Sequence, residues 1–143
     1  MIFVGRKRVF IFVFVNHTNH PSSTWTEVQR QAASVWGEIL DLPFPNVPAE
    51  AKEEEICRLA REQAGYIASL HPAAVLCQGE SCYTYAMVDS LLHQGIRVLA
   101  ACSQRQVREY RTADGQLRRD SAFEFVQFRE YSGTVNKAVS QAG

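Results

Sequence analysis

The apolar run Val9-Phe10-Ile11-Phe12-Val13-Phe14-Val15 decides the fold class of this chain. It contains only β-branched and aromatic residues, with no polar residue between them. A strand with one solvent-exposed face alternates apolar and polar residues, whereas a strand of a parallel sheet that is buried on both faces is continuously apolar. We therefore expect this run to be the first strand of a parallel sheet with helices on both faces.

The segments that follow alternate between helix and strand. One helix is predicted from the capping-box sequence Thr24-x-x-Glu27, a second from near Pro48, and a third that ends before Gly95. Further strands are predicted over residues 38–42, 73–77 and 96–102. This βαβαβαβ order requires right-handed crossovers and predicts an α/β fold with a doubly wound, mainly parallel sheet in strand order 2-1-3-4.

The C-terminal third has a different pattern, typical of an antiparallel β-hairpin. Residues 106–112 and 117–131 flank the pair Asp114-Gly115, which favours a primed two-residue turn. The apolar residues expected to pack this hairpin against the sheet edge or a partner are Phe123, Phe125, Val126 and Phe128. We expect one domain over residues 1–131 and a flexible tail over residues 132–143.

Composition excludes several classes of function. The 143 residues include 15 Lys and Arg against 15 Asp and Glu, so no net charge attracts a long nucleic acid, although a small anion in one pocket stays possible. The longest apolar run is too short to cross a membrane and lacks a signal-peptide cleavage site. We expect a cytoplasmic protein that does not contact a membrane.

Metal and disulfide chemistry is not predicted. The four cysteines contain no C-x-x-C pair, and we expect free, mostly buried thiols. His17 and His20 form an isolated H-x-x-H that would need further ligands to hold a metal ion. The sequence thus predicts neither a metal site nor a cofactor.

Three polar segments follow predicted strands, over residues 16–23, 78–81 and 103–105. In an open α/β sheet a ligand binds outside the carboxyl ends of the strands, where the strand order reverses. In the predicted order this point lies between the first and third strands. Each segment alone needs only to be soluble, but their convergence indicates a binding site.

The second of these segments, residues 78–81, is a candidate phosphate-binding site. Gly79 lets a ligand approach the backbone, and the free N–H groups of the next helix favour an anion. Glu80 opposes an anion there; it either accepts from a ribose hydroxyl or adenine amine, or serves only as a helix-start carboxylate. Arg105 either clamps a phosphate or is a surface charge.

Other nucleotide and hydrolase motifs are incomplete. The chain has no G-x-G-x-x-G and no Walker lysine, which disfavours dinucleotide oxidoreductases and nucleoside triphosphatases. The segment Gly79-Glu80-Ser81-Cys82-Tyr83 is similar to a G-x-S-x-G nucleophile elbow but lacks the final glycine. The only later histidine, His93, lies inside a predicted helix, so a serine esterase is disfavoured.

Four short motifs together carry a family resemblance over residues 9–131. They are Phe14-Val15-Asn16-His17-Thr18, Leu76-Cys77-Gln78-Gly79-Glu80 with Thr84-Tyr85, Ala100-Ala101-Cys102-Ser103-Gln104-Arg105, and Phe125-Val126-Gln127-Phe128-Arg129. In these motifs the chain resembles the small standalone CRISPR-associated proteins of type III systems. The resemblance implies a Rossmann-like domain related to the CARF sensors, acting as a homodimer that binds a cyclic oligoadenylate second messenger.

The best-known activity in such proteins is ring cleavage, and the resemblance implies a metal-independent ring nuclease. The ribose 2′-hydroxyl of the ligand attacks the neighbouring phosphorus, and the protein positions the groups and stabilises the developing charge. The product is a linear oligoadenylate with a 2′,3′-cyclic phosphate. Cyclic tetra-adenylate, which is two-fold symmetric, is the expected substrate of an isologous dimer.

Residue roles follow from the same resemblance. The implied catalytic residues are His17 as a proton carrier, Ser81, and Arg105 as a phosphate ligand. The residues implied to bind ribose, base or phosphate are Asn16, Thr18, Gln78, Gly79, Glu80, Thr84, Ser103 and Gln104.

Two other functions stay open from the sequence. A non-catalytic sponge or sensor would bind the same messenger in the same pocket without cleaving it. A flavodoxin-like domain would instead bind an unrelated nucleotide or phosphate-bearing ligand and ignore cyclic adenylates.

Overall fold

A computed structural model of the chain describes residues 2–9 and 11–133 and has an α/β fold. The strands are β1 (Ile2–Val4), β2 (Lys7–Val9), β3 (Val13–His17), β4 (Glu38–Asp41), β5 (Ala74–Cys77), β6 (Val98–Arg111) and β7 (Leu117–Glu130). The helices are α1 (Glu27–Ser34), α2 (Glu53–Ser69) and α3 (Ser81–His93), and a 3₁₀ turn spans Ser22–Thr24.

Five strands form one mixed sheet in the order β4-β3-β5-β6-β7. The β3–β4, β3–β5 and β5–β6 pairs are parallel, and β7 runs antiparallel to β6. The predicted order 2-1-3-4 of the parallel strands is confirmed, and so is the C-terminal hairpin. A separate antiparallel pair, β1 and β2, precedes the sheet.

Helices cover both faces of the sheet. Phe14, Leu76 and Leu99 pack on one face with Ala33 of α1 and with Trp25. The residues next to them in sequence, Val15, Val75 and Val98, pack on the other face with α2 and α3. The helix residues in that cluster include Ala60, Ala64, Tyr83 and Met87. Successive side chains of a strand point to opposite faces, so two covered faces explain the continuous apolar runs.

The first strand of the sheet is shorter than predicted. It begins at Val13 rather than Val9, because the partner strand β4 begins only at Glu38, whose N–H donates to Phe12 O at 2.9 Å. Upstream of that bond Ile11 and Phe12 are 37% and 66% exposed. The prediction of a strand buried on both faces from Val9 onward was therefore wrong for its first residues, and Phe10 lies outside the described residues.

Two helices begin later than predicted. Thr26, not Thr24, caps α1 by accepting a hydrogen bond from the Gln29 N–H at 3.3 Å, because Thr24 is part of the 3₁₀ turn. Helix α2 begins at Glu53 rather than near Pro48, with three glutamates in its first turn. The end of α3 before Gly95 is confirmed, and Gly95 has a φ of +75°.

The largest departure from prediction lies in β6. Segment 103–105, predicted as a polar segment after the end of the fourth strand, continues the strand instead: β6 pairs with β5 only at Val98 and Leu99, then remains paired with β7 as far as Arg111. Residues 103–125 thus leave the sheet as a two-stranded antiparallel extension, which we call the ribbon. From Ser103 to Glu124 every residue except Thr112 is exposed.

A β-bulge at the base of the ribbon redirects its side chains. Cys102 pairs with Gln127 but Ser103 pairs with Phe125, so Val126 has no partner. The bulge places Phe125 and Phe128 on one face, with ring centroids 4.9 Å apart, although a regular strand would put them on opposite faces. Both pack inward as expected, whereas Phe123 and Val126 are 78% and 51% exposed.

The turn of the ribbon is not the predicted primed type. The Gly115 N–H donates to Thr112 O, and the Thr112 N–H donates to Gln116 O, both at 2.9 Å. Gly115 has a φ of +83°, but Asp114 does not adopt the positive φ that a type I′ turn requires. The loop is therefore a three-residue turn with its glycine in the left-handed region.

Three other expectations have simple outcomes. The four cysteines are free, but Cys57 and Cys82 are exposed, in the N-terminal parts of α2 and α3, so the expectation of mostly buried thiols was wrong. The predicted tail lies outside the described residues from position 134 onward. Within residues 2–9 and 11–133, no helix is long and apolar enough to cross a membrane.

Candidate functional site

A cavity of about 350 Å³ opens at the carboxyl ends of the parallel strands, on the α1 face of the sheet. We call it the α1-side cavity. Its apolar surface is formed by Trp25, Leu76, Ala101, Phe123 and Phe125. Its polar surface is formed by Thr18, His20, Thr24, Thr26, Gln29, Gln78 and Ser103. It lies beside β3 and β5, where the strand order reverses, as predicted from the three polar segments.

The chemistry of the α1-side cavity suits an uncharged planar group. Among the described residues no Lys, Arg, Asp or Glu lines it. Aromatic rings supply stacking surfaces, and hydroxyl and amide groups supply hydrogen bonds. A nucleobase meets both requirements, whereas a phosphate would find no charged partner inside.

The loop after β3 is held by side-chain hydrogen bonds rather than by regular structure. Asn16 Nδ2 donates to Asp41 Oδ1 at 2.8 Å and to His20 O at 2.9 Å, and Thr18 Oγ1 donates to Asn16 Oδ1 at 2.8 Å. Asp41 also accepts from the N–H and the hydroxyl of Ser22, at 3.1 and 2.9 Å. Both Asn16 and Thr18 are buried; Thr18 forms part of the cavity wall, and Asn16 supports that wall from behind.

His17 is fully buried and has both ring nitrogens occupied. Nδ1 lies 2.8 Å from Leu42 O, a carbonyl that can only accept, so Nδ1 carries the proton. Nε2 therefore accepts from the Tyr83 hydroxyl at 2.8 Å. Burial lowers the pKa of His17, against the smaller opposing effect of the Leu42 hydrogen bond. In the single chain this neutral histidine holds Tyr83 and has no solvent-exposed surface.

The start of α3 is already capped by the chain itself. Glu80 accepts hydrogen bonds from the Cys82 and Tyr83 N–H groups at 3.0 and 2.8 Å, and these bonds lower the pKa of its carboxyl. A phosphate would have to displace this carboxylate to reach the same N–H groups. Of the two roles considered for Glu80, the geometry favours the helix-start carboxylate.

Gly79 is required by a neighbouring ring. A Cβ at this position would lie 2.3 Å from Cζ of Phe44, which is itself buried. The Phe44 ring therefore occupies the space that a side chain at position 79 would fill. This is the side from which a ligand was expected to approach the backbone.

Gln78 continues the sheet beyond the last paired residues. Its Oε1 accepts from the Ala101 N–H at 2.9 Å, and its Nε2 donates to Ala101 O at 3.3 Å. The side-chain amide thus replaces a backbone peptide group against β6. This fixes Gln78 as a wall of the cavity rather than as a free hydrogen-bonding group.

A second cavity, of about 670 Å³, lies on the opposite face beside α3. We call it the α3-side cavity. Its lining includes Gln78, Gly79, Ser81, Thr84, Tyr85, Val88, Asp89, Leu92 and Tyr131. Gln78 lines both cavities, so they meet at the end of β5.

The ribbon places Arg105 opposite a residue that lines the α1-side cavity. Arg105 pairs with Phe123, and residues opposite each other in an antiparallel pair project on the same face. Phe123 lines the cavity, whereas Arg105 lines a separate hollow farther along the ribbon with Arg119 and Asp120, where its Nη2 donates to Ser121 Oγ at 3.3 Å. Gln104 pairs with Glu124 on the other face of the ribbon and is directed away from the cavity.

The residues predicted as one site are divided among several places. Thr18, Gln78 and Ser103 line the α1-side cavity. Gly79, Ser81 and Thr84 line the α3-side cavity together with Gln78. The structure does not bring His17, Ser81 and Arg105 together within one chain.

Several lining residues were not predicted. Trp25 was not among the predicted site residues, and Phe123 and Phe125 had been assigned only to hairpin packing. The contribution of the two phenylalanines depends on the ribbon and its bulge, which the sequence pattern does not reveal. Within the described ranges, no group of three or more His, Cys, Asp or Glu side chains is arranged to hold a metal ion.

Comparison with known proteins places the chain in a family. A model described as the uncharacterized protein MJ1673 family matches residues 11–129. The chain belongs to the MJ1673 family. The match ends at Arg129 in β7, so it includes the α1-side cavity, the ribbon, and the lining of the α3-side cavity except Tyr131, Ser132 and Gly133. No curated protein and no solved structure matches this member of the MJ1673 family significantly.

Proposed function

We propose that this chain binds a cyclic oligoadenylate second messenger of type III CRISPR signalling, with an adenine in the α1-side cavity and a phosphate at Arg105. The pairing of Arg105 with Phe123 carries the proposal, because it sets a cation beside an aromatic ring at the edge of an uncharged cavity. A nucleotide has this same division between an apolar, hydrogen-bonding base and an anionic phosphate.

The interior of the cavity supports a base rather than another group. Trp25 and Phe125 are buried on its inner side, whereas Phe123 is 78% exposed and free to cover a bound ring. Stacking of a base on an aromatic side chain contributes about 1–3 kcal/mol. Thr26 and Gln29 provide hydroxyl and amide groups for the base edge.

The finer fold assignment is part of the proposal. Helices on both faces of a mainly parallel sheet are what a doubly wound, Rossmann-like domain requires. We assign the domain to the CARF-like group on the motifs quoted from the sequence. We place it in the cytoplasm, where it would meet a soluble messenger.

We propose that the working form is a homodimer. A two-stranded hairpin alone is marginally stable in water, yet the ribbon is exposed on both faces and carries exposed apolar side chains. Those that exceed 40% exposure are Val107, Tyr110, Leu117, Phe123 and Val126. An isologous partner would cover this surface and offer the same groups twice to a two-fold symmetric ring.

Cleavage of the bound ring is the second part of the proposal. The ribose 2′-oxygen attacks the adjacent phosphorus, the bond to the 5′-oxygen breaks, and the 2′-proton is transferred so that the 5′-oxygen leaves as a hydroxyl. The protein aligns these atoms and stabilises the charge on the phosphoryl oxygens, a role for Arg105. No net oxidation or added reactant is required.

A sponge or sensor that binds the ring without cleaving it is the second candidate. The separation of three residues favours it: His17 has no exposed surface, Ser81 lines the α3-side cavity and Arg105 lies on the ribbon. Within one chain, therefore, the predicted proton carrier does not reach the group predicted to hold phosphate.

One assay separates these functions. The purified protein is incubated with cyclic tri-, tetra- and hexa-adenylate in EDTA, the products are resolved by chromatography, and the thermal shift with each ring is recorded. Linear products with a 2′,3′-cyclic phosphate support the ring nuclease, and a shift with an intact ring supports the sponge or sensor. A protein that neither shifts nor cleaves any ring would overturn the proposal.

A further inference from the structure

We infer that one chain holds two consecutive nucleosides of its ligand, one in each cavity, with their linking phosphate over the end of β5. This inference rests on the proposed function and extends it from one base to two. It identifies the α3-side cavity, which is the larger of the two, as a second base site.

The position of the two cavities is the first argument. The α1-side cavity shares Trp25 and Leu76 with the core on one face of the sheet, and the α3-side cavity shares Val88 with the core on the other. Gln78 lines both, so one residue separates them. A ligand bound in both must pass over the end of β5, and consecutive nucleosides joined by one phosphate can do so.

The wall between the cavities is fixed. The Gln78 amide makes two hydrogen bonds to Ala101, at 2.9 and 3.3 Å, and Phe44 packs against Gly79. A preorganised wall loses little conformational entropy when a ligand is placed across it. Both cavities are therefore held in a constant relation to each other before the ligand arrives.

The chemistry of the α3-side cavity also fits an adenine. Tyr85 is 76% exposed at the cavity, Val88 and Leu92 form an apolar surface, and the Asp89 carboxylate can accept from a 6-amino group. Thr84 Oγ1 is buried beside the Cys77 thiol, a weak hydrogen-bond partner, and makes no other hydrogen bond within residues 2–9 and 11–133. A ligand hydroxyl or ring nitrogen would supply a stronger partner.

The linking phosphate is left to groups on either side of Gln78. The Glu80 carboxylate occupies the first N–H groups of α3, which excludes a phosphate from the helix start. Ser81 lines one cavity and Ser103 the other, and their hydroxyls can donate to a phosphate between them. Two nucleosides for each chain of a homodimer then account for a ring of four.

The test compares the affinity of a ligand that has one base with the affinities of ligands that have two or more. Calorimetric affinities of AMP, linear 5′-phosphorylated diadenylate and cyclic tetra-adenylate are measured for the wild type and for Tyr85→Ala, Phe123→Ala and Tyr66→Ala. Tyr85 and Phe123 are largely exposed, so both variants should fold, as melting curves would verify. Tyr66 is 52% exposed on α2 and lines neither cavity, so Tyr66→Ala is the matched control.

We expect diadenylate to bind at least about tenfold more tightly than AMP, because the second base binds intramolecularly. Tyr85→Ala should weaken diadenylate and the ring by roughly fivefold to a hundredfold, the value of one stacked base, and leave AMP unchanged. Phe123→Ala should weaken all three ligands, and Tyr66→Ala none.

Three results would overturn the inference. If AMP and diadenylate bind equally, or if the ring binds Tyr85→Ala as tightly as the wild type, only one base is held and the proposed function stands. If the wild type binds none of the three ligands, the proposed function fails and the inference fails with it.

Discussion

Arg105 of β6 lies directly opposite Phe123 of β7, so a guanidinium and an aromatic ring project from the same face of the ribbon. Phe123 lines the α1-side cavity and Arg105 does not. The base-stacking surface and the cation are therefore contributed by paired residues on adjacent strands. This relationship makes the ribbon the element that supplies a cation to a phosphate in the proposed function.

Replacing Arg105 by alanine should weaken the binding of cyclic tetra-adenylate about tenfold to a hundredfold, the value of a charge-assisted hydrogen bond of about 1.5–3 kcal/mol. Isothermal titration calorimetry measures the effect. Arg108→Ala is the matched control, because Arg108 is exposed and pairs with Asp120 on the opposite face of the ribbon. Equal affinities of the two variants would remove Arg105 from the site.

Replacing Gly79 by alanine should lower the free energy of unfolding by about 1–3 kcal/mol, because the new methyl group would overlap the Phe44 ring. Phe44→Ala alone should cost about 3–5 kcal/mol, and the double variant should lose less than the sum of the two. Urea titration gives all three values.

The control for this prediction is another glycine of the same chain. Gly65 lies in α2 with nothing within 4 Å of its Cβ position, so Gly65→Ala should raise the free energy of unfolding by about 0.5–1 kcal/mol. Strict additivity of Gly79→Ala and Phe44→Ala would contradict a direct contact.

Stability should fall as the pH falls below about 6.5, because the pKa of His17 is lowered by burial in the folded protein. In that range the unfolded chain binds a proton that the folded chain resists, and each such proton contributes up to about 1.4 kcal/mol per pH unit. At a pH above the pKa that His17 has in the unfolded chain, this residue is unprotonated in both the folded and the unfolded state. The pH dependence of stability that it causes then disappears. Urea unfolding between pH 7.5 and 5.5 measures the slope.

Two histidine variants identify the source of that slope. His17→Leu should flatten it and lower stability at pH 7.5 by about 1–3 kcal/mol, because Leu42 O and the Tyr83 hydroxyl lose their partner. His20→Gln removes an exposed histidine and should keep the slope. An unchanged slope in His17→Leu would assign it to another group.

Asp41→Ala should release the loop that forms one wall of the α1-side cavity, because Asp41 accepts from Asn16 and twice from Ser22. We expect faster hydrogen exchange at the Ser22 amide and a loss of stability of about 0.5–1.5 kcal/mol. Glu38→Ala, an exposed residue of the same strand, is the control and should leave this exchange unchanged. Unaltered exchange in Asp41→Ala would contradict the anchoring role.

The strand order could be predicted because it depends on pattern alone. Short apolar runs such as Ala74–Cys77 are buried at every position, and helices of sufficient length separate them. Parallel pairing with right-handed crossovers then leaves few arrangements. The position of segments 16–23 and 78–81 at the carboxyl edge follows from the same argument.

The ribbon and the helix caps could not be predicted in the same way. Segment 103–105 is polar because the strand leaves the core, not because the chain turns, and composition does not distinguish these cases. The spacing of Phe125 and Phe128 indicates one face only when the bulge at Val126 is known. The sequence does not show whether His17 and Glu80 contact a ligand or the chain itself. The answer depends on contacts that form only on folding, between His17 and Tyr83 and between Glu80 and backbone N–H groups.

The exposure of the ribbon from Ser103 onward has an evolutionary consequence. Substitutions there alter neither of the two buried clusters within one chain, so they cost the single domain little stability while they reshape the mouth of the α1-side cavity. Natural variation can therefore redirect ligand preference through a few ribbon positions. Selection on the scaffold and selection on recognition can then proceed independently in this family.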